Sequence, residues 1–78
     1  MRKAFERSKK RLGVRLKELR EERDLTQEQA AELAGLHAKH IGVVESGKTN
    51  ATFGTLVALA VAYQISLEAL FKGSPVLR

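Results

Sequence analysis

The sequence predicts an all-α domain built from five short helices. The only proline among the 78 residues is Pro75, so nothing interrupts helical backbone before residue 74. Apolar residues recur at helical spacing in separate stretches. Residues that start or stop helices bound those stretches: Thr26, Thr52 and Ser66 at starts, Gly35, Gly47 and Gly73 at ends. The pattern is that of a compact, all-helical domain.

The first helix is expected from about Lys10 to Arg23, with Leu12, Leu16 and Leu19 at i, i+4 and i+7. Ahead of it, segment 1–11 is basic and carries Ala4 and Phe5 as apolar side chains. It is either a solvated arm or an extra turn leading into the first helix. Asp24 breaks the pattern, and Leu25 turns back to the core. Thr26-x-x-Gln29 is a capping box, in which hydroxyl and amide satisfy orphan backbone N–H groups reciprocally. The second helix then continues through Ala30, Ala31, Leu33 and Ala34, and Gly35 stops it in a left-handed conformation. The third is expected from about Ala38 to Ser46, with Ile41 and Val44 facing inward. The fourth follows Thr52 to about Tyr63, with Leu56, Leu59, Ala60 and Tyr63 as its buried stripe. Ser66 caps a short fifth, anchored by Leu67, Leu70 and Phe71. The domain thus spans 12–73, flanked by the basic segment 1–11 and a tail at 74–78.

A chain of this length holds one domain with a thin stability margin. It has no cysteine, so neither a disulfide nor a thiolate metal site reinforces it. No apolar run approaches the roughly 18 residues of a membrane span. The start is charged and lacks the apolar centre of a secretory signal. A soluble, cytoplasmic protein without membrane association is expected. The net charge of +5 is unevenly placed. Residues 1–23 hold ten Lys and Arg against four Glu, and residues 24–78 hold four against five acids. Basic charge gathered at one end suits a polyanion, either nucleic acid or an anionic membrane.

The informative stretch is Thr26 to Asn50. Two short helices flank a tight Gly35-Leu36-His37 turn. The first carries small residues where a partner helix must cross, and the second is apolar only on its inner side. These are the requirements of a helix-turn-helix. The major groove, about 12 Å wide, accepts one helix. Leu25-Thr26-Gln27-Glu28-x-x-Ala31-x-x-Ala34-Gly35-Leu36, followed by Ile41-x-x-Val44-Glu45-x-Gly47-Lys48-x-Asn50, resembles the phage repressor/Cro-type (XRE) family. The likeness spans about residues 12–71. The run Ile41-Gly42-x-x-Glu45-x-Gly47-x-x-Asn50 is similar to restriction–modification controller proteins in particular.

That resemblance implies roles. His37, Ala38 and Lys39 would face bases at the start of the recognition helix. Val43, a turn further on, would touch a thymine methyl. Lys39, which can donate to guanine O6 and N7, is the leading base-reading candidate. Gln27 would bond a phosphate at a helix start that already favours anions. Thr26, His40, Ser46, Lys48 and Asn50 would hold phosphates, which fixes register without reading sequence. Arg20 and Glu45 match a structural ion pair between the first and third helices. The family's glutamines at the positions of Ala38, Lys39 and Val43 are absent, so no operator sequence carries over. Gln64 stands where the family usually ends a helix with glycine.

One recognition helix contacts too few base pairs for useful specificity. A homodimer on a palindrome is expected, with half-sites about 34 Å apart. Tyr63, Leu67, Phe71, Val76 and Leu77 form the expected dimer surface. The rivals are weaker. His37 and His40 share a face, but no third ligand stands near them, so no metal or other cofactor is expected. Ser8, Ser46, Ser66 and Ser74 lack organised partners and no phosphate-cradling glycine loop exists, so no catalysis is expected. No small-molecule effector is expected either. The alternative is an antitoxin-like interaction module that also binds DNA.

Overall fold

The computed structural model describes residues 2–49 and 51–71, and it is helical throughout with no strand among them. The elements are α1 (Arg2–Glu22), α2 (Gln27–Ala34), α3 (Ala38–Glu45), α4 (Phe53–Ala62) and α5 (Leu67–Leu70). The expected five-helix architecture is therefore what forms. Asn50, Gly73, Val76, Leu77 and the tail 74–78 lie outside the described residues.

The largest departure is at the start. Helix α1 begins at Arg2, not near Lys10, so the basic segment continues the first helix. Its Lys, Arg, Glu and Ala residues are good helix formers. Two local contacts add support. Lys9 pairs with Glu6 at 3.4 Å, one turn away, and lies over the Phe5 ring at 5.2 Å from its centre.

The boundaries form as their residue types dictate. Thr26 Oγ1 accepts from the Gln29 backbone N–H at 3.0 Å, and Gln29 Oε1 accepts from the Thr26 N–H at 2.9 Å. Gly35 closes α2 at φ 71°, and the Leu36 N–H returns to the Ala31 carbonyl at 2.8 Å. Thr52 and Ser66 cap α4 and α5 by accepting from Thr55 and Ala69 at 3.1 and 3.0 Å.

Gln64, after α4, is left-handed at φ 57°, a conformation that glycine adopts without the Cβ penalty. Gln64→Gly is therefore expected to stabilise the domain by about 0.5–1 kcal/mol, the strain relieved outweighing glycine's extra unfolded-state entropy. A thermal melt checks this, and a lower midpoint would refute it.

The core gathers Leu16 and Leu19 from α1, Ala30 and Ala31 from α2, and Ile41 and Val44 from α3. Leu56, Leu59 and Ala60 come from α4, with Tyr63 and Leu70 beyond it. The alanines let neighbouring helices approach α2 closely. Tyr63 corrects one expectation. It is 1% exposed, so it belongs to this subunit's core and not to a dimer surface. Arg23 seals it, donating from Nε to the Tyr63 carbonyl at 2.8 Å while its guanidinium lies 5.7 Å from the ring centre.

Burial pushes the Tyr63 phenol up to about 12, with the Glu45 charge adding to the rise and Arg20 and Arg23 opposing it. Its hydroxyl meets no hydrogen-bond partner among the described residues. The folded state thus favours the neutral phenol. This contribution is complete below pH 10, the ordinary tyrosine value, and is lost as pH rises towards 12. Tyr63→Phe should match or exceed the parent's stability at pH 7, and its advantage should widen from pH 10 to 12. Denaturant titrations at several pH values test this; a gap that stays constant over that range would contradict it.

Candidate nucleic-acid interface

The chain's candidate surface is built on α2, the Gly35-Leu36-His37 turn and α3. Ile41 and Val44 anchor α3 from within, at 1% and 3% exposure. That leaves its opposite face outward. His37 and Lys39 are exposed, and Ala38, His40 and Val43 are half-buried. His37, Lys39, His40 and Val43 line one shallow open concavity together with Thr49, which sequence reasoning did not single out. His37 takes the N-cap position of α3 without using its side chain as a cap. Neither His37 nor Lys39 makes a side-chain hydrogen bond or ion pair among the described residues.

The frame behind this face is held by a bidentate ion pair. Arg20 Nε donates to Glu45 Oε2 at 2.7 Å and Nη2 to Oε1 at 3.1 Å. A third bond runs from Nη1 to the Leu25 carbonyl at 2.7 Å. Arg20 is buried, and its hydrogen bond to Glu45 holds its proton more tightly than usual despite the opposing effect of burial. One guanidinium thus joins α1, the entry to α2 and the end of α3. The structural role expected of this pair matches its geometry.

Several expected phosphate contacts look different in the structure. Gln27 is half-buried, and its Nε2 donates to Glu45 Oε1 at 3.2 Å. Its amide orients the ion pair and retains one further N–H for a ligand. Ser46 donates its hydroxyl proton to the Val43 carbonyl at 2.6 Å and accepts from the Lys48 N–H at 3.3 Å. In the free protein that proton is held inside the turn, while Ser46 itself remains exposed. His40 Nε2 meets Thr55 Oγ1 at 3.3 Å, and Thr52 Oγ1 donates to the same Thr55 oxygen at 3.0 Å. His40 thereby ties α3 to the start of α4 while still lining the concavity. Thr26 and Lys48 are exposed. Thr26 accepts as a cap and keeps its own O–H to donate.

Close helix approach explains three glycines. A Cβ on Gly13 would sit 2.5 Å from the Glu45 carbonyl oxygen and 2.8 Å from that of Val44. Gly13 thus lets α1 cross directly over the end of α3. Its signal was an isolated glycine inside an amphipathic helix. At Gly47, left-handed at φ 75°, a Cβ would lie 2.9 Å from the Lys10 Cα. At Gly42 a Cβ would meet the Gln27 amide at 3.3 Å, so this glycine makes room for the Gln27–Glu45 bond.

Among the described residues no group of three or more His, Cys, Asp or Glu could hold a metal ion. No helix of the described residues is long and apolar enough to cross a membrane. Two short helices at a glycine turn, one with a free outer face, define a helix-turn-helix protein. The helix-turn-helix family model HTH_3 matches residues 16–70, and the chain belongs to that family. It is 41% identical over 59 residues to the control protein C.SmaI of Serratia marcescens, covering 76% of this chain and 70% of that protein. It is 39% identical to the transcriptional regulator PuuR of Escherichia coli, covering 77% of this chain but 32% of PuuR. Among solved structures, the restriction-modification controller protein C.AhdI from Aeromonas hydrophila superposes with a TM-score of 0.82 at 36% identity. The match covers 85% of this chain and 96% of C.AhdI.

Proposed function

We propose that this protein is a sequence-specific, double-stranded DNA-binding transcriptional regulator of the controller type. The observation that carries the reading is the free outer face of α3, braced from behind by the buried Arg20–Glu45 pair. The likeness to C.SmaI and C.AhdI, over most of each of those proteins, supports the controller type.

In this reading Lys39 donates to a guanine edge, and His37, Ala38 and Val43 shape the neighbouring contacts. Thr26, Gln27, Lys48 and Asn50 hold phosphates on either side. His40 positions α3 against α4 and reaches the backbone with its remaining ring nitrogen. The protein acts as a homodimer on a palindrome with half-sites about 34 Å apart. Leu67 and Phe71, both half-buried, are the described residues offered to a partner; Val76 and Leu77 complete the expected set.

Selection of sites from random duplex DNA at physiological salt tests the reading. A palindrome with half-sites one helical turn apart is expected. Recovery of no motif would overturn it. Lys39→Ala should relax the preference at one position in each half-site, worth about 1–3 kcal/mol of discrimination. An unaltered motif would remove Lys39 from base readout. Sedimentation showing only monomer on and off DNA would overturn the dimer.

A further inference from the structure

We propose that residues 2–11, the first turns of α1, form a rigid basic rail that grips the DNA backbone flanking the half-site. This rests on the reading of α3 as the recognition helix. The family model starts only at residue 16, so the rail lies outside the matched domain.

The segment is helical and continuous with the core helix, so its backbone runs on from the core at a set angle. It is also docked beside α3: the Lys10 backbone lies against Gly47, at the end of that helix, and Gly13 packs on the Val44 and Glu45 carbonyls. Lys3, Lys10 and Lys17 recur every seven residues and so share one side of α1. Lys10, on that side, abuts the turn that leads directly into exposed Lys48. The basic surface of α1 thus continues the edge of the proposed interface. From Lys10 back to Lys3 it reaches about 10 Å further, at 1.5 Å per residue.

The charge is concentrated, and three of its cations carry the proposal. Residues 2–11 hold six Lys and Arg and one Glu. Glu6 pairs with Lys9, whereas Lys3, Arg7 and Lys10 have no acidic partner among the described residues. A membrane-surface helix would need a broad apolar face. Here the apolar residues are Ala4 and Phe5, and Phe5 is already covered in part by Lys9. The chemistry points to a regular array of phosphates.

The test uses the full chain, the selected duplex with long flanks, and an unrelated duplex. The variant carrying Lys3→Gln, Arg7→Gln and Lys10→Gln should lower the slope of log affinity against log salt by about 0.9 for each phosphate it no longer neutralises. It should lose hydroxyl-radical protection on the flanks while selecting the same motif. Ser8→Pro keeps every charge but breaks the helix, because proline lacks the N–H and clashes with the preceding turn. It should lose the same flanking protection.

An unchanged slope and footprint in the triple variant would overturn the rail even with site-specific binding intact. Flanking protection that survives Ser8→Pro would replace the rail with a flexible arm. If the parent selects no motif, the proposed function fails, and a shallower slope of the triple variant on the unrelated duplex still supports the rail. Binding to phosphatidylserine vesicles as tight as to DNA at equal salt, abolished in the triple variant, would overturn it in favour of a membrane.

Discussion

Gly13→Ala is expected to destabilise the domain by about 3 kcal/mol, the upper end of overpacking costs. That lowers the melting midpoint by roughly 12–24 °C for a domain of this size. The added methyl would stand 2.5 Å from the Glu45 carbonyl oxygen. Its obstacle is backbone, so no side chain can rotate away. Relief requires α1 and α3 to separate, and the Arg20–Glu45 bonds lie along the same crossing. Gly54→Ala is the control. A Cβ there would meet only the Thr52 hydroxyl, at 3.9 Å, and alanine is the better helix former. Melts followed by circular dichroism should move in opposite directions. A Gly13→Ala midpoint within about 4 °C of the parent, the shift of a 1 kcal/mol change at most, would mean that the crossing is not close-packed.

Glu45→Ala is expected to cost more, about 3–5 kcal/mol, because it strands a buried guanidinium. Arg20 would lose two of its three bonds, and Gln27 would lose its acceptor. The pair need not stabilise the domain relative to apolar packing. Replacing both partners, as Arg20→Met with Glu45→Leu, should therefore recover a large part of the loss. Denaturant unfolding of the two single variants and the double variant measures this. A double variant as unstable as the sum of the singles would show that the residues act independently. On the proposed reading, the selected DNA motif should be the same for Glu45→Ala wherever the protein remains folded, since both Glu45 carboxylate oxygens are engaged by Arg20 and Gln27.

The five-helix fold was legible because caps and periodicity agree at each boundary. Thr26 with Gln29, Thr52, Ser66 and Gly35 each sit where their hydrogen-bonding chemistry demands. The start of α1 was not legible. A dense run of Lys and Arg describes a solvated arm and a solvated helix equally well, and only the packing of Lys10 on Gly47 separates them. At the candidate site, the outward placement of His37 and Lys39 followed from Ile41 and Val44 facing in. Competition among polar groups was hidden. Ser46, Gln27 and His40 each have a partner inside the protein, supplied by carbonyls and side chains that neighbour them only after folding. Tyr63 misled for a related reason: an aromatic near a helix end reads as surface until Arg23 is seen closing over it.

His37 and Lys39 make no side-chain hydrogen bond among the described residues, whereas the bracing is done by the Arg20–Glu45 pair behind that face. Inheritance can therefore treat the two sides separately. Substitutions on the outer face should alter which operator is preferred at small stability cost, so a duplicated copy could acquire a new target through a few changes. Substitutions in the brace have no such freedom. Two copies could thus part company in the DNA sites they prefer, on the proposed reading, while their scaffolds stayed the same.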